Sequence, residues 1–148
     1  MAYNARMTLP SLDANIASSL AKWHSMVSRR DLSEVDAIIH PNAMFRSPMA
    51  FKPYQSSQAV VLILQTVMTV FEDFAYHREF VSPDAKGVVL EFSARIGERG
   101  LKGVDLIAFD ADGLIVDFEV MVRPLNGLQA LGHEMGARLA SALPNFKT

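Results

Sequence analysis

Apolar and polar residues alternate along the second half of the chain, and a period of two is typical of a half-buried β-strand. The alternation is clearest in residues 87–97, where five apolar side chains share one face: Val88, Leu90, Phe92, Ala94 and Ile96. Residues 73–81, 101–109 and 114–123 are also rich in strand formers. Turn-forming residues separate these stretches, most clearly at Asp110-Ala111-Asp112-Gly113. The second half therefore predicts four strands joined by short turns.

The first half shows a helical period instead. After Asp13, which can cap a helix, four apolar residues recur at helical spacing: Ile16, Leu20, Trp23 and Val27. Asp31 and Glu34 stand three residues apart, as in a capping box, so the sequence predicts a second, short helix over residues 31–40.

Three more elements are predicted. Residues 43–47 form a short strand, and a third helix begins at Ser56 or Ser57 and ends near residue 71. That helix is apolar on almost every side, which predicts burial on more than one side. A last helix over residues 125–143 contains three glycines that suggest close packing or partial irregularity: Gly127, Gly132 and Gly136.

The order of these elements predicts the fold class. Three helices with one embedded strand precede four consecutive strands, and a helix ends the chain. Segregated helices and consecutive strands are typical of an α+β fold, here with helices covering one face of a curved antiparallel sheet. A length of 148 residues fits a single domain, so we expect residues 1–148 to form one.

Composition narrows the function classes. The net charge of -2 gives no basic surface for nucleic acid or for an anionic membrane. Cysteine is absent, which excludes disulfides and thiolate chemistry. No apolar run approaches the ~20 residues of a membrane span, and the N-terminus lacks a signal-peptide pattern. These features predict a cytoplasmic protein that binds neither nucleic acid nor a membrane.

Asp105 is the residue with the most evident chemistry. It is a carboxylate within an otherwise apolar strand, next to Val104 and Leu106. Burial raises the pKa of a carboxyl, and a carboxyl in an apolar pocket can serve as an acid, a base or a hydrogen-bond donor. The alternative is an ionised Asp105 that is satisfied by a nearby arginine or tyrosine.

The chain resembles the nuclear transport factor 2-like superfamily, and within it the SnoaL-like proteins. The resemblance covers residues 12–124 and depends on Trp23, the Asp31-Leu32 start, the segment 41–48 and the pattern of residues 104–115. It implies a cone-shaped α+β barrel like that of the polyketide cyclases, scytalone dehydratase and the ketosteroid isomerases. The extra C-terminal helix resembles a subset of SnoaL-like proteins.

A comparison with the ketosteroid isomerases implies roles for individual residues. Their general base precedes the proline that ends the first strand, where this chain has Ser47. Their first oxyanion donor lies at the position of Trp23. Their second donor, a protonated aspartate, lies at the position of Asp105. Of the three roles, only the last is kept by the same residue type, and serine without a partner is a poor base.

The same resemblance implies an apolar pocket for a small hydrophobic molecule. With the apolar strand faces turned inward, the expected ligand-binding residues are Trp23, Ser47, Tyr54, Phe92, Phe118, Val120 and Val122. Tyr54 or Tyr76 can present a hydroxyl to the ligand, and His77 is the one histidine of interest because it shares a strand with Glu79. No histidine pair has the spacing of a metal site, and no phosphate loop or nucleophile motif is present, so we expect no cofactor and no metal.

Three functions remain open on the sequence alone. The first is a cofactor-independent isomerase, cyclase or dehydratase that uses Asp105 on a carbonyl or polyketide-like compound. The second is a non-catalytic module that binds a small ligand, which the serine at position 47 favours. The third is a structural homodimer with a vestigial pocket. In this superfamily the outer sheet face commonly forms the dimer interface, so we expect a homodimer that involves Arg95, Glu119 and Arg123.

Overall fold

The computed structural model describes residues 11–140 and 142. The chain forms the following helices and strands in order: α1 (Ala14–Ser28), a short 3₁₀ helix (Val35–Ile38), β1 (Ile39–Arg46), α2 (Ser57–Val70), β2 (Glu72–Val81), β3 (Gly87–Ile96), β4 (Arg99–Phe109), β5 (Ile115–Arg123) and α3 (Leu125–Leu139). The five strands make one sheet in the order β1-β5-β4-β3-β2. The predicted α+β class with a curved sheet and an added C-terminal helix is confirmed.

Strand β1 is the one departure from an antiparallel sheet. It runs parallel to β5, with Phe45 opposite Phe118, whereas the pairs β2–β3, β3–β4 and β4–β5 are antiparallel. The loop after β1 returns to it, because Tyr54 and Phe45 exchange two backbone hydrogen bonds of 2.9 and 3.0 Å. This bridge holds the loop that begins at Ser47 against the end of β1.

The predicted second helix over residues 31–40 is wrong. The Asp31 carboxylate accepts a 3.0 Å hydrogen bond from the Ser33 N–H, which closes a local turn rather than a capping box. Only Val35–Ile38 is helical, and it is a 3₁₀ helix. The first strand then begins at Ile39 and includes Pro41, which an edge strand tolerates although proline has no N–H.

The other elements lie close to their predicted places. Ser56 caps α2 by accepting a 3.3 Å hydrogen bond from the Ala59 N–H, and Gly113 takes the positive φ of 85° that the predicted hairpin turn needs. The last helix ends at Leu139 in the described part of the chain. The predicted end at residue 143 lies outside the described residues.

The helices cover the face of the sheet that carries the apolar side chains, and the core lies between them. Trp23 of α1 packs edge-on against Phe118 of β5, with ring centroids 5.4 Å apart. Phe71, just after α2, lies 5.6 Å from the ring of Phe92 on β3. Phe92 reaches this position because Gly103, its partner on β4, has no side chain: a Cβ there would lie 2.5 Å from the Phe92 ring.

Candidate functional site

A cavity of about 520 Å³ lies between the inner face of the sheet and the helices. Most of its wall is apolar, and seven aromatic side chains contribute to it: Trp23, Phe45, Tyr54, Phe71, Phe74, Tyr76 and Phe118. Helix α2 supplies aliphatic side chains, and α3 supplies a further part of the wall through Leu131 and Met135. A volume of this size suits a small organic ligand.

Asp105 is part of this cavity wall, on the inner face of β4. Its neighbours across the sheet are Leu90 on β3 and Val120 on β5, so apolar side chains flank it on both sides. Only 6% of the residue is exposed. The alternation of residues along β4 therefore turns the carboxyl inward, into an apolar pocket.

The carboxyl of Asp105 is hydrogen-bonded to Tyr76. The Tyr76 hydroxyl donates to Asp105 Oδ2 over 2.5 Å, and the indole N–H of Trp23 donates to the Tyr76 oxygen over 3.0 Å. The indole N–H is a donor only, so it fills an acceptor position of the hydroxyl and leaves the Tyr76 proton for the carboxylate. A directed chain of two hydrogen bonds thus links α1, β2 and β4.

The second carboxyl oxygen, Oδ1, has no hydrogen-bond partner among the described residues. No fully buried side-chain nitrogen or oxygen in the described part of the chain lacks a partner. Oδ1 is therefore reached from the cavity, and it is the atom of Asp105 that a ligand would meet.

Burial in this apolar wall raises the pKa of Asp105 from 3.8 to about 7, while the hydrogen bond from Tyr76 lowers the pKa and so limits the rise. Burial also raises the pKa of Tyr76 well above its usual value, and the adjacent charge of Asp105 raises it further. Tyr76 therefore stays a neutral donor. Near neutral pH both the carboxylic acid and the carboxylate forms of Asp105 are populated, which suits general acid–base chemistry.

Five of the seven expected ligand-binding residues line the cavity: Trp23, Ser47, Tyr54, Phe118 and Val120. Phe92 and Val122 lie on strands that face the core but are not among the lining residues. Phe92 instead packs within the core, where its ring stacks on Phe74 with centroids 5.1 Å apart. Val122 lies opposite Gly103, next to the Phe92 ring.

Ser47 has a local structural partner. Its hydroxyl accepts a 3.0 Å hydrogen bond from the Met49 N–H, which shapes the start of the loop after β1. Tyr54 lies in the same loop and is 7% exposed. Neither residue is hydrogen-bonded to Asp105 in the described structure, so the loop supplies wall and shape rather than a second member of the hydrogen-bond chain.

Sequence reasoning left the partner of Asp105 unassigned, and the structure shows that this partner is Tyr76. Its signal is the alternation of β2, which places Tyr76 opposite Phe92 and hence on the inner face. His77, the next residue, consequently lies on the other side, where it bonds Ser93 over 2.7 Å. Glu79, which shares the strand with His77, contacts His24 instead, over 3.0 Å.

Comparison with known proteins agrees with this fold. The model of the SnoaL-like domain matches residues 20–118, more than half of the chain. A crystal structure of a steroid delta-isomerase from Pseudomonas aeruginosa is 64% identical, covers 93% of this chain and 99% of its own, and has a TM-score of 0.87. The protein belongs to the SnoaL-like family.

Two other solved structures extend the comparison. An uncharacterised bacterial protein with a cystatin-like fold from Silicibacter pomeroyi is 30% identical, covers 90% of this chain and 94% of its own, and has a TM-score of 0.80. A nuclear transport factor 2-like protein of unknown function from Mesorhizobium loti is 17% identical and has a TM-score of 0.66, with 80% of this chain and 100% of its own covered. The last likeness shows the fold alone. No curated protein matches the chain.

The raised pKa of Asp105 predicts how stability depends on pH. Because the folded value of about 7 lies above the usual 3.8, the folded state binds more protons than the unfolded state between these values. The free energy of unfolding should therefore fall as pH rises from about 4 to 7. Asp105→Asn cannot ionise, so its stability relative to wild type should grow over this window, by roughly 4 kcal/mol at most. Chemical denaturation of both proteins at pH 4 to 8 measures the difference.

Glu91 provides a control of the opposite sign. Hydrogen bonds from Arg78 lower the pKa of Glu91 to about 2, despite the opposing effect of burial, so its contribution is present above pH 4.5 and is lost in acid. Glu91→Gln should therefore cost stability at neutral pH, and the cost should shrink as pH falls. An Asp105→Asn curve of the same shape as the Glu91→Gln curve would contradict a raised pKa at Asp105.

Proposed function

We propose that this protein binds a small hydrophobic carbonyl compound in the cavity and that Asp105 is its acid–base group. The reaction would be an isomerisation or cyclisation that needs no cofactor. The observation that carries the proposal is a buried, titratable carboxyl whose free oxygen meets an otherwise apolar cavity. Perturbed carboxyls in clefts are typical of sites that move protons.

The chemistry follows from the two forms of Asp105. As the carboxylate, Oδ1 removes a proton from a carbon next to the carbonyl, and the electron pair of the C–H bond passes into an enolate. The carboxylic acid then returns that proton to another carbon of the conjugated system, which regenerates the carboxylate. Tyr76 donates to Oδ2 throughout and holds the carboxyl in place. The apolar wall keeps water from competing for the proton.

Ser47 supports the alternative of a binding module. The resemblance to ketosteroid isomerases places their general base at this position, and the Ser47 hydroxyl is instead engaged by the Met49 N–H. Without that base, Asp105 would have to act alone. In the alternative, the Trp23, Tyr76 and Asp105 chain recognises one polar atom of a bound ligand, and no bond is broken.

A steroid ketone with a β,γ double bond is the first substrate to test, since the Pseudomonas aeruginosa protein at 64% identity is a steroid delta-isomerase. We expect wild type to convert it to the conjugated ketone, measured by ultraviolet absorbance. Asp105→Asn should reduce the rate by at least about 100-fold because the proton-transfer group is lost. Asp112→Asn, in the exposed hairpin turn, is the matched control and should leave the rate unchanged.

Binding is measured in parallel through Trp23, which is the single tryptophan of the chain and lines the cavity. Binding by wild type without turnover would favour the binding module. Turnover by Asp105→Asn at the wild-type rate would show that another group moves the proton.

We also propose a homodimer that is formed through the outer face of the sheet. On this face Arg95 pairs with Glu72 and Asp73 of its own chain, at 2.9 and 2.6 Å, so it is already neutralised there. Glu119 and Arg123, in contrast, have no hydrogen bond or ion pair within the described residues. Between them lies Met121, which is 51% exposed. An apolar side chain flanked by two unpaired opposite charges suits a symmetric contact.

The dimer proposal predicts that Met121→Glu produces a monomer, because a buried, unpaired charge would oppose association. Met49→Glu is the control: Met49 is equally exposed, at 52%, but lies at the cavity. Light scattering at micromolar concentration should give a dimer for wild type and for Met49→Glu. A wild-type monomer would rule the dimer out.

No helix in the described part of the chain is long and apolar enough to cross a membrane, and a cytoplasmic location stays a prediction.

A further inference from the structure

Helix α3 carries three glycines, and their surroundings differ. At Gly127 a Cβ would lie 2.9 Å from the Cβ of Leu101 and 3.1 Å from the carbonyl oxygen of Gly100. Both atoms belong to β4 and cannot easily move aside. Gly127 is therefore explained by the close approach of the helix to the sheet.

Gly132 and Gly136 are four residues apart, on one face of α3, and both line the cavity. The three atoms nearest to a Cβ at Gly132 all belong to the side chain of Met49, which is flexible and half exposed. A Cβ at Gly136 would have no described atom within 4 Å beyond the helix itself. Protein packing thus accounts for Gly127, but it does not require a glycine at position 136.

A glycine inside a helix costs up to about 1 kcal/mol relative to alanine. A position where alanine would fit and would stabilise the helix, yet glycine is present, suggests that open space has a use there. A second observation points to a ligand in the same cavity. Asp105 is more than nine-tenths buried, and its Oδ1 has no partner among the described residues.

We propose that Gly132 and Gly136 determine the size of the ligand that the cavity accepts. The bare backbone of α3 leaves room for the bulky end of a rigid hydrophobic ketone, while Asp105 faces the carbonyl end of the same molecule. The inference rests on the proposed function for the ligand class. It assigns specificity to a helix that follows the matched SnoaL-like region, which ends at residue 118.

The test compares two side chains added at adjacent positions of α3. Gly136→Leu adds a side chain at a position that lines the cavity, whereas Ala137→Leu adds the same group at a position that does not; both positions are exposed. Binding of a steroid ketone and of a single-ring unsaturated ketone is measured by Trp23 fluorescence. For Gly136→Leu we expect binding of the steroid ketone to weaken at least about tenfold, and binding of the smaller ketone to change less than about twofold. Ala137→Leu should leave the affinity for both ketones unchanged.

Gly136→Ala keeps the test decisive if the leucine variant folds poorly. Because it removes a helix glycine without a clash, its melting temperature should rise by about 2–4 °C. Its affinity for the steroid ketone should nevertheless fall, while its affinity for the smaller ketone stays the same. A helix glycine of purely structural importance would show no such size dependence.

The outcomes separate the two proposals. If wild type binds neither ketone, the proposed function fails before any variant is compared. If wild type binds both and Gly136→Leu binds both as well as wild type does, the specificity role of α3 is overturned and the function is not. Equal weakening for both ketones would also overturn it, because size selection requires a larger effect on the larger ligand.

Discussion

The contact between the Tyr76 hydroxyl and the Asp105 carboxyl is the interaction on which the site depends. Burial without compensation would keep this carboxyl protonated at neutral pH, and full solvation would keep it ionised. The 2.5 Å hydrogen bond from Tyr76 opposes the effect of burial and leaves the pKa near 7. Trp23 fixes the direction of that bond by donating to the Tyr76 oxygen. The chemistry of the site therefore requires α1, β2 and β4 to keep their relative positions.

The sheet maintains those positions through its register and through a glycine, Gly103, that leaves space on its inner face. Asp105 lies between Leu90 and Val120, so both neighbouring strands desolvate it. Gly103, two residues earlier on the same face, leaves space for Phe92, whose ring then packs edge-on against Tyr76 with centroids 6.5 Å apart. The same cluster that forms the core thus supports the hydroxyl that reaches the carboxyl. Stability and site geometry share these residues, and a change at Gly103 would affect both.

Much of this arrangement could be predicted from the sequence because alternation is a local property. It predicts that Phe118 and Val120 point inward, and the structure turns both toward the core together with Asp105. The link between Tyr76 and Asp105 is different in kind. It depends on strand order and on irregularities in the β2–β3 pairing on either side of Tyr76, which no local pattern encodes. The part that α3 plays in the cavity wall is likewise a tertiary contact. The wrong helix over residues 31–40 came from a local motif that a turn satisfies equally well.

Direct titration of the Asp105 carboxyl by carbon-13 NMR tests this account most closely. Comparison of wild type with Asp105→Asn assigns the signal, and Tyr76→Phe removes the opposing hydrogen bond while keeping the ring. The account predicts a midpoint near pH 7 in wild type and a higher one in Tyr76→Phe, because burial then acts alone. A wild-type midpoint near the ordinary value of 3.8, unaffected by Tyr76→Phe, would contradict it.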